Sequence, residues 1–254
     1  IEPTEDNRGG VLRLKALVDS VRTAEPHVLL ADAGDLVQGT YYFSLLNGVV
    51  EMKMLDMLKY DIRTIGNHEF DKKMSGLGDM LAISKVPVVA SNYDFSNTNL
   101  AQYVVPSKIL NAGKIKVGFI GLNVRLLNLV NKKACEGVVW QDAVNVADTY
   151  AGQLREQGAD IVIAISHLGY GGGSTEYYYD SGIATRTRHI DMIIGGHSHT
   201  VLKKADYVTD VDGDQVAIVQ TGSRGYNLGY AKIRLDENGK PSFTYRLIPV
   251  NSRL

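Results

Sequence analysis

Ile161-Val162-Ile163-Ala164-Ile165, running directly into Ser166-His167-Leu168-Gly169, decides the fold class. The apolar run is too short for a helix and has no polar alternation, which is the pattern of a strand buried on both faces. Just upstream, Ala143 to Glu156 reads as a helix. The same alternation extends towards the N-terminus. Val11, Leu14, Leu17, Val18 and Val21 recur at helical spacing and predict an amphipathic helix ending near Pro26. Val28 to Ala31, Ile62 to Ile65 and Val86 to Ala90 read as short strands. Helices are predicted over Ser44 to Lys59, with Leu45, Val49, Met52 and Leu55 facing inward and Gly48 a weak point, and over Lys73 to Ile83.

The middle and end of the chain add antiparallel signals. Tyr103-Val104-Val105 and Ile115 to Ile120 flank Asn111-Ala112-Gly113-Lys114, which reads as a hairpin turn. Met192 to Ile194, Val216 to Gln220, Tyr230 to Leu235 and Phe243 to Ile248 read as strands, with turns at Asp212-Gly213-Asp214 and Glu237-Asn238-Gly239. Mixed pairing with helices outside predicts two packed sheets in an α/β protein. No repeat, low-complexity tract or linker divides residues 1–254, which read as one domain.

Four polar clusters each follow a short apolar strand: Gly34-Asp35-Leu36-Val37-Gln38-Gly39, Gly66-Asn67-His68-Glu69-Phe70-Asp71, Ser166-His167-Leu168-Gly169 and Gly195-Gly196-His197-Ser198-His199-Thr200. Loops at the carboxyl ends of strands in an α/β sheet converge on one site, so these four are expected to meet. Their Asp, Asn and His side chains make an oxygen-and-nitrogen donor set without thiolate, suited to Zn²⁺, Mn²⁺ or Fe. His197 and His199 lie two apart and on an extended segment would face the same side. Each residue alone has a plain structural explanation, as cap, turn or surface histidine; four clusters in this pattern do not.

Bulk properties exclude other classes. The 254 residues carry a formal net charge of −1, with 44% hydrophobic and 22% charged residues, so no basic face exists for a nucleic-acid polymer. No apolar run approaches the roughly 18 residues of a membrane span. The single cysteine, Cys135, excludes an intrachain disulfide and reads as a small buried apolar residue. Tyr177-Tyr178-Tyr179 with Gly171-Gly172-Gly173 reads as a surface loop, with a lid or partner contact as the functional alternative.

The order GD-xx-QG, GNHEFD, SHLG, GGHSHT and Gln220-Thr221-Gly222 resembles the calcineurin-like metallophosphoesterases, in particular their 5'-nucleotidase branch. The resemblance runs over nearly the whole chain and implies a four-layer α/β/β/α sandwich with two mixed β-sheets. It implies two divalent metal ions, with Asp35 bridging them, Asn67, His167 and His197 completing one site, and His199 belonging to the other. His68 would face the substrate phosphate, oriented by Asp71, as charge stabiliser or proton donor, and Asn67 and His68 would contact substrate. The implied activity is hydrolysis of phosphate monoesters, foremost nucleoside 5'-monophosphates, by a metal-activated hydroxide. A phosphodiesterase acting on cyclic nucleotides or other diesters shares these motifs. A third reading is a catalytically impaired metal-binding scaffold that docks a partner.

Two features of the family pattern are absent from these residues. The Asp-x-His of the family's first strand is missing, Ile1-Glu2-Pro3 resembling the residues just after that motif, and Glu2, Glu5 and Asp6 read as solvated charges rather than substitutes. The further domain that binds the nucleoside in many relatives is not among these residues, and the expectation is either that the catalytic domain takes other phosphate esters or that it depends on a separate subunit. By resemblance the protein belongs in the periplasm or at the cell surface.

Overall fold

The computed structural model describes residues 2–171 and 178–251. Four two-residue strands, β1 (Ala31–Asp32), β2 (Ile62–Arg63), β3 (Val88–Val89) and β5 (Val104–Val105), pair in that order, all parallel. A six-stranded sheet takes β6 (Ser107–Ala112), β7 (Ile115–Asn123), β9 (Ile161–His167), β10 (Met192–Gly195), β12 (Gln215–Gln220) and β11 (Asp206–Thr209) in spatial order. Its four central strands are parallel and its two edge strands antiparallel to their neighbours. Two antiparallel pairs complete the strands: β4 (Tyr93–Asp94) with β8 (Val139–Trp140), and β13 (Asn227–Leu235) with β14 (Pro241–Pro249). The larger sheet is therefore mixed as expected, while the pairs of the smaller one are all parallel, because helical or long crossovers join its strands.

Three apolar clusters define the layers. Met52 and Leu55 of α3 (Val49–Leu58) and Leu77 and Met80 of α4 (Lys73–Ile83) pack on Ile65 and Val88, covering the outside of the small sheet. Ile62 and Val89 of that sheet meet Phe119, Ile163, Ile165, Met192 and Val219 of the large one. Ala147, Ala151 and Leu154 of α5 (Ala143–Glu156) and Ile183 of α6 (Asp180–Ala184) cover Ile120, Leu122, Val162, Ala164, Ile193 and Ile218. The result is the α/β/β/α sandwich. The alternation along β9 follows from the strand's two-residue period: odd-numbered side chains face the small sheet and even-numbered ones face the helices. Helix α5 starts where Asp142 accepts bonds from the N–H groups of Val144 and Asn145, and its alanines at four-residue spacing bring it close to the sheet.

The sheets are also joined by polar contacts at the end where the four loops gather. Ser91 N–H donates to Gly121 O at 2.7 Å, and Gly121 N–H donates to Ser91 Oγ at 3.0 Å. Asn92 and Asn123 exchange two bonds of 2.8 Å, and Asn123 Nδ2 donates to Thr64 Oγ1 at 3.0 Å.

Three local expectations are corrected. The predicted helix 44–59 is two, α2 (Tyr41–Leu46) and α3, separated by Asn47 and Gly48 with φ of 51° and 87°, and Leu45 points outward with 76% exposure. The hairpin pairs β6 with β7, whereas Val104 and Val105 join the other sheet, because β3 offers them a parallel edge. Cys135 is half-buried rather than buried: it lines an apolar groove with Leu126, Val138 and Trp140. Helix α1 (Val11–Ala24) forms as predicted, with Leu17 and Val18 buried. Of the tyrosine–glycine stretch, Gly172, Gly173 and Tyr177 lie outside the described residues, while Tyr178 packs edge-on against Trp140 with centroids 5.2 Å apart. Among the described residues no helix is long and apolar enough to cross a membrane.

Candidate metal centre

Asp35 follows β1, Asn67 follows β2, His167 ends β9 and His197 follows β10, so strand ends of both sheets deliver these side chains to one place. Asp35, His167 and His197 offer ligand atoms that all lie within 4.8 Å of one another. Asn67 joins them, its Oδ1 3.1 Å from His197 Nδ1. His199 stands outside this trio and is exposed. The expected extended geometry of the His-x-His segment does not occur. His197 and His199 have φ of 64° and 55°, left-handed values that turn the chain at each histidine, so the alternation of an extended segment does not apply to them. Glu2, Glu5 and Asp6 are exposed, as expected.

His167 is 1% exposed and its two nitrogens are in different situations. Nδ1 lies 2.6 Å from the Ala33 carbonyl oxygen, which can only accept, so Nδ1 carries the hydrogen. Nε2 faces Asp35 Oδ2 at 2.9 Å but out of line for a hydrogen bond, and is left buried without a hydrogen-bond partner. A neutral ring thus sets a lone pair beside a carboxylate, an arrangement that calls for a positive charge between them. Burial works against a charged His167, but the Asp35 carboxylate overrides it and raises the ring's pKa. The same pairing holds Asp35 below the usual carboxylate range despite its own burial. Burial, and then the positive charge that His167 carries whenever its ring is protonated, lower the pKa of His197. A divalent cation satisfies all three side chains, and the donor set fits it.

Beside the trio stands a second pair. His68 Nδ1 donates to Asp71 Oδ2 at 3.0 Å, which leaves Nε2 free. The His68 N–H donates to Asp35 Oδ1 at 2.8 Å, so a single carboxylate touches both the ligand cluster and the backbone of this histidine.

Two acids that the sequence reading left without a role shape this region. Glu69 is 1% exposed and accepts three backbone bonds: from Asp35 at 3.0 Å and Gly66 at 2.7 Å on Oε2, and from Leu36 at 2.8 Å on Oε1. It ties the Asp35 loop to the Asn67 loop, although burial and the Asp35 charge push its pKa up. Asp180 is wholly buried, and desolvation pushes it to about 8. The short spacing of Glu69 from His68 is a signal for the first. Nothing in the sequence marks the second.

Comparison with known proteins identifies the family. Residues 7–201 match the calcineurin-like phosphoesterase family. The chain is 32% identical over 248 residues to human 5'-nucleotidase, covering 91% of this chain and 42% of that protein. It is 31% identical over 252 residues to the snake venom 5'-nucleotidase of Gloydius brevicauda, covering 92% and 42%. The fold superposes on the 5'-nucleotidase precursor from Thermus thermophilus with a TM-score of 0.89 at 28% identity, over 97% of this chain and 50% of that one. The chain therefore spans less than half the length of these curated relatives. With the family model matched over most of its length, the chain belongs to the calcineurin-like phosphoesterase family.

Proposed function

We propose that this chain hydrolyses phosphate monoesters, foremost nucleoside 5'-monophosphates, at the strand-end cluster. The reading is carried by one observation: Asp35 presents Oδ2 to His167 and Oδ1 to the backbone of His68, linking a cation cluster to a histidine–aspartate pair. In this reading Asp35, Asn67, His167, His197 and His199 would hold two divalent ions, Zn, Mn or Fe. Such ions supply positive charge that polarises a phosphoryl group and eases deprotonation of the attacking water.

The chain's own groups supply the rest. With its Nδ1 hydrogen held by Asp71, His68 keeps its ring plane fixed; from the imidazolium form, in which both nitrogens carry hydrogen, Nε2 gives its proton to the leaving oxygen and the ring ends as the Nδ1–H tautomer. Its N–H on Asp35 sets the height of that ring above the ligand cluster. Asn67, 6% exposed with its Oδ1 3.1 Å from His197 Nδ1, would contact the substrate phosphate in this reading. Nucleotide preference follows from the relatives' names and, with less than half of their length spanned, belongs to the proposal, as does export, which the venom relative's name favours.

The test is phosphate release from AMP and from bis-p-nitrophenyl phosphate by the metal-loaded protein and its His68→Ala variant. AMP turnover that falls about 10²- to 10⁴-fold in the variant, with metal content unchanged, supports the role of His68. Unchanged turnover removes that role. Preference for the diester points to a phosphodiesterase instead, and metal without turnover on either substrate points to a scaffold.

A further inference from the structure

Behind the cluster lies a row of residues whose chemistry the proposed reaction does not use. Gly195 on β10 is paired in register with Ser166 on one side and Gln220 on the other. One residue further along each strand come His167, Gly196 and Thr221, so this row is the last before the site. Following the alternation of β9, Ser166 faces the helix layer, and the residue it meets there is Asp180, the first of α6. Ser166 Oγ donates to Asp180 Oδ1.

Gly195 makes room for this carboxyl. A Cβ at that position would stand 2.2 Å from Asp180 Oδ2 and 2.9 Å from Gln220 Nε2, so any larger residue would displace both. Asp180 Oδ2 and Gln220 Nε2 are each buried without a hydrogen-bond partner, an acceptor and a donor packed on the same glycine. The other end of Gln220 leads back to the site. Its Oε1 accepts from Thr200 N–H at 2.5 Å and from Ser198 Oγ at 3.0 Å, and both belong to the turn carrying His197 and His199.

A helix cap does not explain Asp180, since α6 has no side-chain cap bond and the carboxyl points into the sheet. Stability does not explain it either. A buried acid with one unbonded oxygen is penalised where an apolar residue of similar size would not be.

We propose that Asp180 is a positioning residue for the metal centre: through Ser166, Gly195 and Gln220 it fixes the strand ends that carry His167 and His197, and so sets metal affinity. This rests on the metal-binding reading above. Residues that orient metal ligands from behind typically change affinity by about 10- to 100-fold when removed.

The experiment is Zn²⁺ titration of the metal-free protein by competition with a fluorescent chelator, for wild type, Asp180→Ala, Asp180→Asn and Ser166→Ala, each checked for cooperative unfolding. We expect Asp180→Ala to weaken Zn²⁺ binding by about 10- to 100-fold. Asp180→Asn keeps an oxygen for Ser166 and adds a donor, and should restore affinity to within about threefold of wild type, a rescue that mere loss of packing would not show. Ser166→Ala should weaken binding in the same direction, and its effect should not add to that of Asp180→Ala. Folded Asp180→Ala with wild-type Zn²⁺ affinity overturns the inference while leaving the metal centre standing. Absence of Zn²⁺ binding by the wild type overturns the metal reading itself. Should Asp180→Ala fail to fold, wild-type affinity in Ser166→Ala overturns the inference.

Discussion

Replacing Glu69 with glutamine changes one oxygen to an amide nitrogen, and the structure says what that does. Three backbone N–H groups converge on the two carboxylate oxygens, two on Oε2 and one on Oε1. The least harmful glutamine rotamer puts its carbonyl at the Oε2 position and keeps two acceptor contacts. Its NH₂ group then faces the Leu36 N–H across 2.8 Å, leaving donor against donor in a buried place. An orphaned buried donor costs about 1–3 kcal/mol, and the two surviving bonds each lose about 1 kcal/mol with the negative charge gone. Relief of the buried charge returns part of this, since burial already pushes Glu69 up. The net expectation is a loss of about 3 kcal/mol. Equilibrium urea unfolding of metal-free protein at pH 7 measures it directly, with unchanged slope and a lower midpoint. A midpoint within about 1 kcal/mol of wild type would refute the idea that Glu69 holds the two loops together.

Three further expectations concern other parts of the molecule. Gly121→Ala places a Cβ 2.0 Å from the Val89 carbonyl oxygen, so the sheets must part where they are joined; a loss of at least about 3 kcal/mol in urea unfolding is expected, and a wild-type midpoint contradicts it. Asp180 is raised from 3.8 to about 8, so its contribution to stability is full below about pH 3.8 and is lost as pH climbs through about 8. Wild type should therefore lose about 1–3 kcal/mol relative to Asp180→Asn between pH 5 and 7.5, and a gap that stays constant across this range rules the ionisation out. Zn²⁺ at about 100 times its dissociation constant should stabilise the protein by roughly 2.7 kcal/mol over the chelator-treated form, and equal melting of the two would contradict a metal centre.

The α/β class and the four loops were legible because each rests on a purely local pattern. A run such as Ile161–Ile165 has no other stable use than a strand buried on both faces, and the candidate ligand His167 follows it directly. The sequence misleads where a distant partner decides. Val104 and Val105 carry the composition of a hairpin arm, but the free edge of β3 takes them. Leu45 keeps helical spacing with Leu55, yet the left-handed turn at Asn47 rotates it into solvent. His197 and His199 follow a spacing rule that holds only for extended backbone. The buried roles of Glu69, marked only by its place beside His68, and of Asp180, which nothing in the sequence marks, were hidden for a different reason. An acid in a sequence is ordinarily a solvated charge, and theirs are defined by hydrogen-bond partners 34 and 14 residues away.

The strict alternation along β9 has a consequence for chain-length variation. Deleting or inserting one residue within 161–166 would exchange the destinations of Ser166 and His167, sending the imidazole into the helix layer and the hydroxyl towards Asp35. Unless a bulge absorbs the extra residue, the side chains beyond the change all swap faces together, unlike the graded loss caused by trimming a side chain. Indels in this segment should therefore abolish metal binding outright even where the sheet re-forms. Two-residue indels, which preserve parity, are the smallest that selection or an engineer could carry through this strand.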